Sequence, residues 1–268
     1  MDHKHEMERK HYVLVHGACH GAWSWYKLKP LLESAGDQVT VLDQAASGIN
    51  PKKIDDVNKF SDYSEPLLDF LASLPPNGKV ILVGHSLGGL NIALAMDKFP
   101  EKVAVGVFLA AFMPDTQNKP SYVIDQYIGR TPAAEWLDTQ LSSNGSKTSM
   151  LFGPRFLSDK LYQLSPTEDI ELARTLIRPS SLFVEDLSKE NNFTKEDYGS
   201  VPRSYVICEE DLAIPLEYQR WMIQNAGIDH VEVLKGADHM AMLCKPRELH
   251  HVLSQIADKY ASEHFTHA

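Results

Sequence analysis

Cysteine is scarce. Cys19, Cys208 and Cys244 are the only three in 268 residues, and no two share a C-x-x-C spacing. So small and odd a set excludes a disulfide scaffold or a zinc finger and reads as reduced thiols in a cytosolic compartment. Missing too is any apolar run long enough to span a bilayer. The segment Met1 to Lys10 is polar and charged, without an apolar stretch, so no secretory signal is expected. Basic charge is in deficit, 26 Lys and Arg against 36 Asp and Glu, a formal net charge of −10. That balance argues against nucleic acid or an anionic membrane as the main partner. What remains is an ordinary globular composition, 43% apolar and 23% charged, enough for one large α/β domain or two small ones. Histidines near both ends (His3, His5, His11; His264, His267) are too irregularly spaced to hold a metal and read as tails.

Short apolar, β-branched runs alternate with helical spacing. Strands are expected at His11–His16, Gln38–Leu42, Lys79–Val83, Val103–Leu109, Arg203–Cys208 and His230–Leu234. Helices are expected at Trp23–Ala35, Phe60–Leu74, Leu87–Lys98 and Pro246–Tyr260. Strands apolar throughout suit a parallel sheet covered on both faces. After Met113-Pro114 the rhythm breaks. From Asp115 to Asp197 there are Pro, Ser, Asn and Gly with short helical stretches (133–141, 156–161, 167–176) and no apolar strand run. This predicts a sheet-and-helix core from 1–114 and 198–268, with a mainly helical cap, 115–197, inserted over the edge of the sheet.

Gly84-His85-Ser86-Leu87-Gly88 fits G-x-S-x-G, lying between an apolar strand and a helix. A nucleophile elbow requires that setting: the turn is so tight that its flanks must be small, and it lifts a serine hydroxyl above the sheet. A serine hydroxyl is a weak nucleophile at neutral pH and needs a base within reach. In elbow-bearing sheets the acid and then the histidine follow the serine. Of the later histidines, His230 opens a strand, His250 and His251 lie in a helix, and His264 and His267 lie in the tail. His239 alone sits in a loop just past a strand end, where sites gather. Glu209, Glu210 and Asp211 all follow the preceding strand, and position does not choose among them. Asp238 is adjacent to His239, but neighbouring side chains in an extended loop diverge. The oxyanion formed during attack needs preorganised donors. One is the Leu87 N–H, and the other belongs to the loop His16-Gly-Ala-Cys-His-Gly21.

With these residues, and with Val13–Pro30, Val83–Gly89, Phe108–Pro114 and Gly236–Leu243 as they stand, the chain resembles the plant methylesterase family of α/β-hydrolases. The family also includes hydroxynitrile lyases. The likeness spans about Lys10 to Tyr260. It implies an α/β-hydrolase fold with Ser86 as nucleophile, His239 as base, Asp211 as acid, and Ala18 and Leu87 as oxyanion donors. Phe112, Tyr127, Trp136, Leu161 and Met240 match pocket-wall positions. Lyases of this type carry Thr and Lys where Gly17 and Met240 stand here, so hydrolysis is expected. Departures from the family pattern at Gln44, Leu212 and Leu141 bear on substrate, and Leu141 replaces a larger aromatic. The resemblance implies a cofactor-free, metal-free cytoplasmic carboxylesterase acting on methyl salicylate, methyl jasmonate, methyl indole-acetate or an alkaloid methyl ester. It allows a homodimer. A lyase or cyclase using His239 as proton shuttle, or a slow-turnover binding protein, are the alternatives.

Overall fold

The computed structural model describes residues 9–145 and 147–264, so His3, His5 and His267 lie outside it. The apolar runs form strands β1 (His11–Val15), β2 (Gln38–Leu42), β3 (Val80–His85) and β4 (Val103–Leu109). The insert after β4 carries a hairpin, β5 (Gln140–Asn144) and β6 (Lys147–Leu151), before β7 (Arg203–Cys208) and β8 (Val231–Leu234). Six of these make one sheet in the order β2-β1-β3-β4-β7-β8, and every neighbouring pair in it is parallel. Alternate residues serve opposite faces: Tyr12 and Leu14 pack in one core, Val13 and Val15 in another. Both faces are therefore covered, as unbroken apolar strands require.

Three helices were legible as single stretches but are subdivided or displaced. The stretch from Trp23 divides into a 3-10 turn, Ala22–Trp25, and the helix α1, Leu28–Ser34. Phe60–Tyr63 is separated from α2, Glu65–Ser73, because Pro66 lacks the N–H an uninterrupted helix would need and instead opens a new first turn. The helix expected at 133–141 stops at Trp136, where Leu137 takes φ of 51°, and Leu141 falls on β5. The hairpin escapes an apolar pattern because β5 is exposed throughout. It is held instead by pairing with β6, which is tied in turn to Ser180 through two backbone bonds with Met150 of 2.7 and 2.8 Å. The helices expected at Leu87–Lys98, 167–176 and Pro246–Tyr260 are present as Gly88–Lys98 (α3), Thr167–Leu176 (α5) and Pro246–His264 (α7), and Tyr122–Arg130 (α4) and Leu216–Ala226 (α6) join them. Among the described residues no helix is long and apolar enough to cross a membrane.

Candidate active site

Strand order reverses between β1 and β3, since the chain runs outward from β1 to β2 and then returns to the other side of β1. A crevice forms outside the carboxyl ends of the strands at such a switch point. Val15 of β1 is in register with Gly84 of β3, so the loops beyond them leave the sheet side by side. Closeness there leaves no room for side chains. A Cβ on Gly17 would lie 2.8 Å from Ser86 Cβ, and one on Gly88 would lie 2.6 Å from the Val15 carbonyl oxygen. Glycine at both positions lets the β1 loop lie against the elbow.

Ser86 takes φ of 54°, a left-handed conformation that a non-glycine residue adopts only under constraint. Its main chain is held by Ser86 N–H donating to Leu109 O (3.3 Å) and by Phe112 and Gly89 N–H donating to Ser86 O (3.0 and 3.1 Å). From Val80 to Ala93 every residue is buried except Ser86, which is half-buried. The turn thus exposes one hydroxyl in a sealed stretch. Leu87 and Ala18 are buried, and among the described residues neither of their N–H groups donates to a protein acceptor. Buried N–H groups without acceptors are rare, and two beside one hydroxyl suit an anionic oxygen.

Of the three carboxylates after β7, Glu210 is exposed, Glu209 half-buried and Asp211 buried. Asp211 Oδ1 accepts the N–H groups of Ala213 and Ile214, both at 2.8 Å, and Oδ2 lies 2.7 Å from His239 Nδ1. An ionised carboxylate only accepts, so His239 carries its proton on Nδ1 and presents a lone pair at Nε2. His85, next to Ser86, donates from Nε2 to the His239 carbonyl at 2.8 Å, and the two rings lie 4.6 Å apart. The elbow and the histidine loop are joined through that contact. Among the described residues the Ser86 hydroxyl forms no hydrogen bond to the His239 ring; such bonds are often long before substrate arrives and tighten with it.

The sequence profile of the alpha/beta hydrolase family matches residues 12–250. The chain belongs to that family. Salicylic acid-binding protein 2 of Nicotiana tabacum is 58% identical over 257 residues, covering 94% of this chain and 99% of that one. Methylesterase 1 of Arabidopsis thaliana is 53% identical, covering 95% and 98%. The crystal structure of polyneuridine aldehyde esterase, 49% identical, superposes with a TM-score of 0.92 over 94% of this chain and 100% of that one. These relatives place the hydrolase among the plant methylesterases, and it is an esterase of that group.

Around the site of this hydrolase lie three further buried histidines, and their burial favours the neutral form of each. His16 accepts the Gln44 N–H on Nε2 (3.0 Å) and donates from Nδ1 to Gly17 O (2.8 Å). His20 donates from Nδ1 to Ala18 O (2.8 Å) and accepts the Tyr162 hydroxyl on Nε2 (2.7 Å). His85 has its Nε2 proton committed to His239 O. Burial lowers the pKa of His16, takes His20 down to about 4 and holds His85 well below the ordinary 6.5. All three rings are therefore uncharged at neutral pH. The unfolded chain takes up protons near 6.5 that the folded one refuses, so stability is lost as pH falls from 6.5 toward 4, by about 1.4 kcal/mol per pH unit for each histidine at most. A melting temperature that drops steeply between pH 7 and pH 5 is expected; a flat profile would show that these rings accept protons in place.

The five positions expected on the pocket wall separate into two groups. Phe112, Tyr127 and Trp136 form a chain of edge-on rings with centroids 5.3 and 5.8 Å apart, and the Tyr127 hydroxyl donates to Ala213 O at 2.6 Å. Tyr127 and Trp136 border a cavity of about 250 Å³ together with Leu212 and Ala213. Trp136 also borders a groove of about 630 Å³ whose walls include Leu141, Met150 and Leu182. Leu161 and Met240 are buried in one core and border neither space, nor do Phe112, Ser86 and His239. Sequence reasoning passed over His85, hidden at the variable position of the motif, and the tasks of His16, His20 and Asp238. A histidine beside each small-residue turn was the available signal.

Proposed function

We propose that this hydrolase cleaves methyl esters of small, largely apolar plant acids through an acyl-enzyme on Ser86. The observation that carries the reading is the Asp211–His239 hydrogen bond, which leaves the Nε2 lone pair free on a loop attached, through His85, to the half-open elbow serine. Substrate draws the Ser86 hydroxyl onto Nε2. The serine oxygen attacks the ester carbonyl carbon as His239 takes its proton, and Asp211 steadies the imidazolium. The carbonyl oxygen, now anionic, accepts the N–H groups of Ala18 and Leu87, each worth about 3 kcal/mol of barrier. As the intermediate collapses the ester C–O bond breaks, and His239 returns the proton to the departing methoxide, giving methanol. Water, deprotonated by the same histidine, then releases the acid.

The names of the relatives support salicylate, alkaloid and similar methyl esters as substrates, and the Phe112–Tyr127–Trp136 rings suit a flat acid. Met240, where family lyases carry a cationic lysine, is fully buried and uncharged, which favours hydrolysis over cyanide release. Incubation of the enzyme in ¹⁸O-water with methyl salicylate, methyl jasmonate, methyl indole-acetate and an alkaloid methyl ester tests this. At least one ester gives unlabelled methanol and an acid carrying a single ¹⁸O from the water. Turnover of a cyanohydrin with every ester left intact would contradict it.

A further inference from the structure

Four consecutive residues of the insert, Tyr162 to Ser165, reach all three loops of the site. The Tyr162 hydroxyl donates to His20 Nε2, and His20 Nδ1 donates to the carbonyl of Ala18. The His20 ring has the Trp23 and Tyr162 rings close by, with centroids 5.3 and 5.9 Å away and interplanar angles of 26° and 16°. Gln163 Nε2 donates to the Glu210 carbonyl at 2.6 Å, one residue before Asp211. Leu164 N–H and the Ser165 hydroxyl both donate to Asp238 Oδ2 at 2.9 Å, one residue before His239. The other oxygen of Asp238 accepts the N–H of Met240, one residue after His239, so this fully buried carboxylate grips the histidine loop from within.

The local backbone explains why the segment can do this. A π-helical turn, Leu157–Leu161, ends in a Tyr162 N–H to Leu157 O bond of 2.9 Å. That wider turn adds a residue and re-aims the chain leaving it, as such turns do near sites. At the other end of the contact, Cys19 holds φ of 63° beside Ala18. A non-glycine residue in that conformation persists only where its surroundings enforce it.

We infer that Tyr162–Ser165 is a strap by which the insert sets the geometry of the active site, with Tyr162 a positioning residue that fixes the oxyanion loop through His20. The inference rests on the acyl-enzyme reading of the site. Tyr162→Phe keeps the ring and removes only the hydroxyl. With the ester turned over fastest, kcat falls roughly ten- to a hundredfold while KM holds within about twofold. Affinity for the matching trifluoromethyl ketone, whose adduct on Ser86 carries the same tetrahedral oxyanion, falls by the same factor as kcat. In a His20→Leu background the Tyr162→Phe change alters kcat by less than about twofold, because its route is already cut. Ser165→Ala, at a half-buried hydroxyl, lowers kcat several-fold through Asp238 with KM unmoved. Unchanged kcat in both variants overturns the strap, as does a Tyr162→Phe effect of equal size with and without His20, or a lowered melting temperature with ketone affinity intact. Ser86→Ala separates the two ideas: if it still hydrolyses ester the acyl-enzyme reading fails, whereas its inactivity beside an unaffected Tyr162→Phe removes the strap alone.

Discussion

Ser86→Ala lowers methyl ester hydrolysis by roughly four to six orders of magnitude, the loss expected when a relay of this type is deprived of its nucleophile. Whatever survives is expected from the Ala18 and Leu87 N–H groups holding the oxyanion as water attacks the carbonyl directly. The fold has little stake in the hydroxyl. Ser86 is half-buried, its main-chain bonds to Leu109, Phe112 and Gly89 use no side-chain atom, and alanine meets the same φ of 54°. The melting temperature therefore stays within a few degrees of the parent. Initial rates on the best ester, read beside a thermal melt, check both halves. A variant that keeps more than about one hundredth of the parent rate would place the nucleophile elsewhere.

Asp211→Asn is the second large effect, and its reason lies in which atom faces which partner. The Oδ1 oxygen receives two N–H groups, from Ala213 and Ile214. Asparagine keeps a carbonyl oxygen for that task and so must turn its NH₂ toward His239 Nδ1. An NH₂ donates, which forces the imidazole to carry its proton on Nε2 and leaves no lone pair for Ser86. A loss of about 10⁴ in kcat is expected, with KM little changed, because geometry survives and only the tautomer is wrong. Steady-state kinetics settle it. A fall of less than about tenfold would show that the carboxylate is a loop fastener and not the acid of the relay.

Much of the fold and of the candidate site was legible in the sequence because its signals were local. Val80–Val83 is apolar without a break, so a strand covered on both faces was the consistent reading, and the small residues after it mark the elbow. His239 followed from its loop position. Position did not choose the acid: Glu209, Glu210 and Asp211 are alike in chemistry and adjacent in order, the family resemblance pointed to Asp211, and burial, two N–H bonds and the contact with His239 set it apart. The hairpin at 140–151 was invisible because Gln140–Asn144 points outward with no apolar alternation. Tyr162 was invisible for another reason. Its partner, His20, lies 142 residues away, and a bond over that separation leaves no periodicity to read. The same holds for Asp238, whose partners Leu164 and Ser165 precede it by more than 70 residues.

A fluorophosphonate ester offers the shortest route to the central claim, that Ser86 is driven by His239 at the β1/β3 switch point. Peptide mapping by mass spectrometry after brief exposure should find one phosphonyl group, on the peptide bearing Ser86, with hydrolysis lost in step with labelling. His239→Ala should take up the reagent at least about a hundredfold more slowly. Full inhibition with Ser86 unmodified, or labelling that proceeds equally fast without the imidazole, would contradict the account.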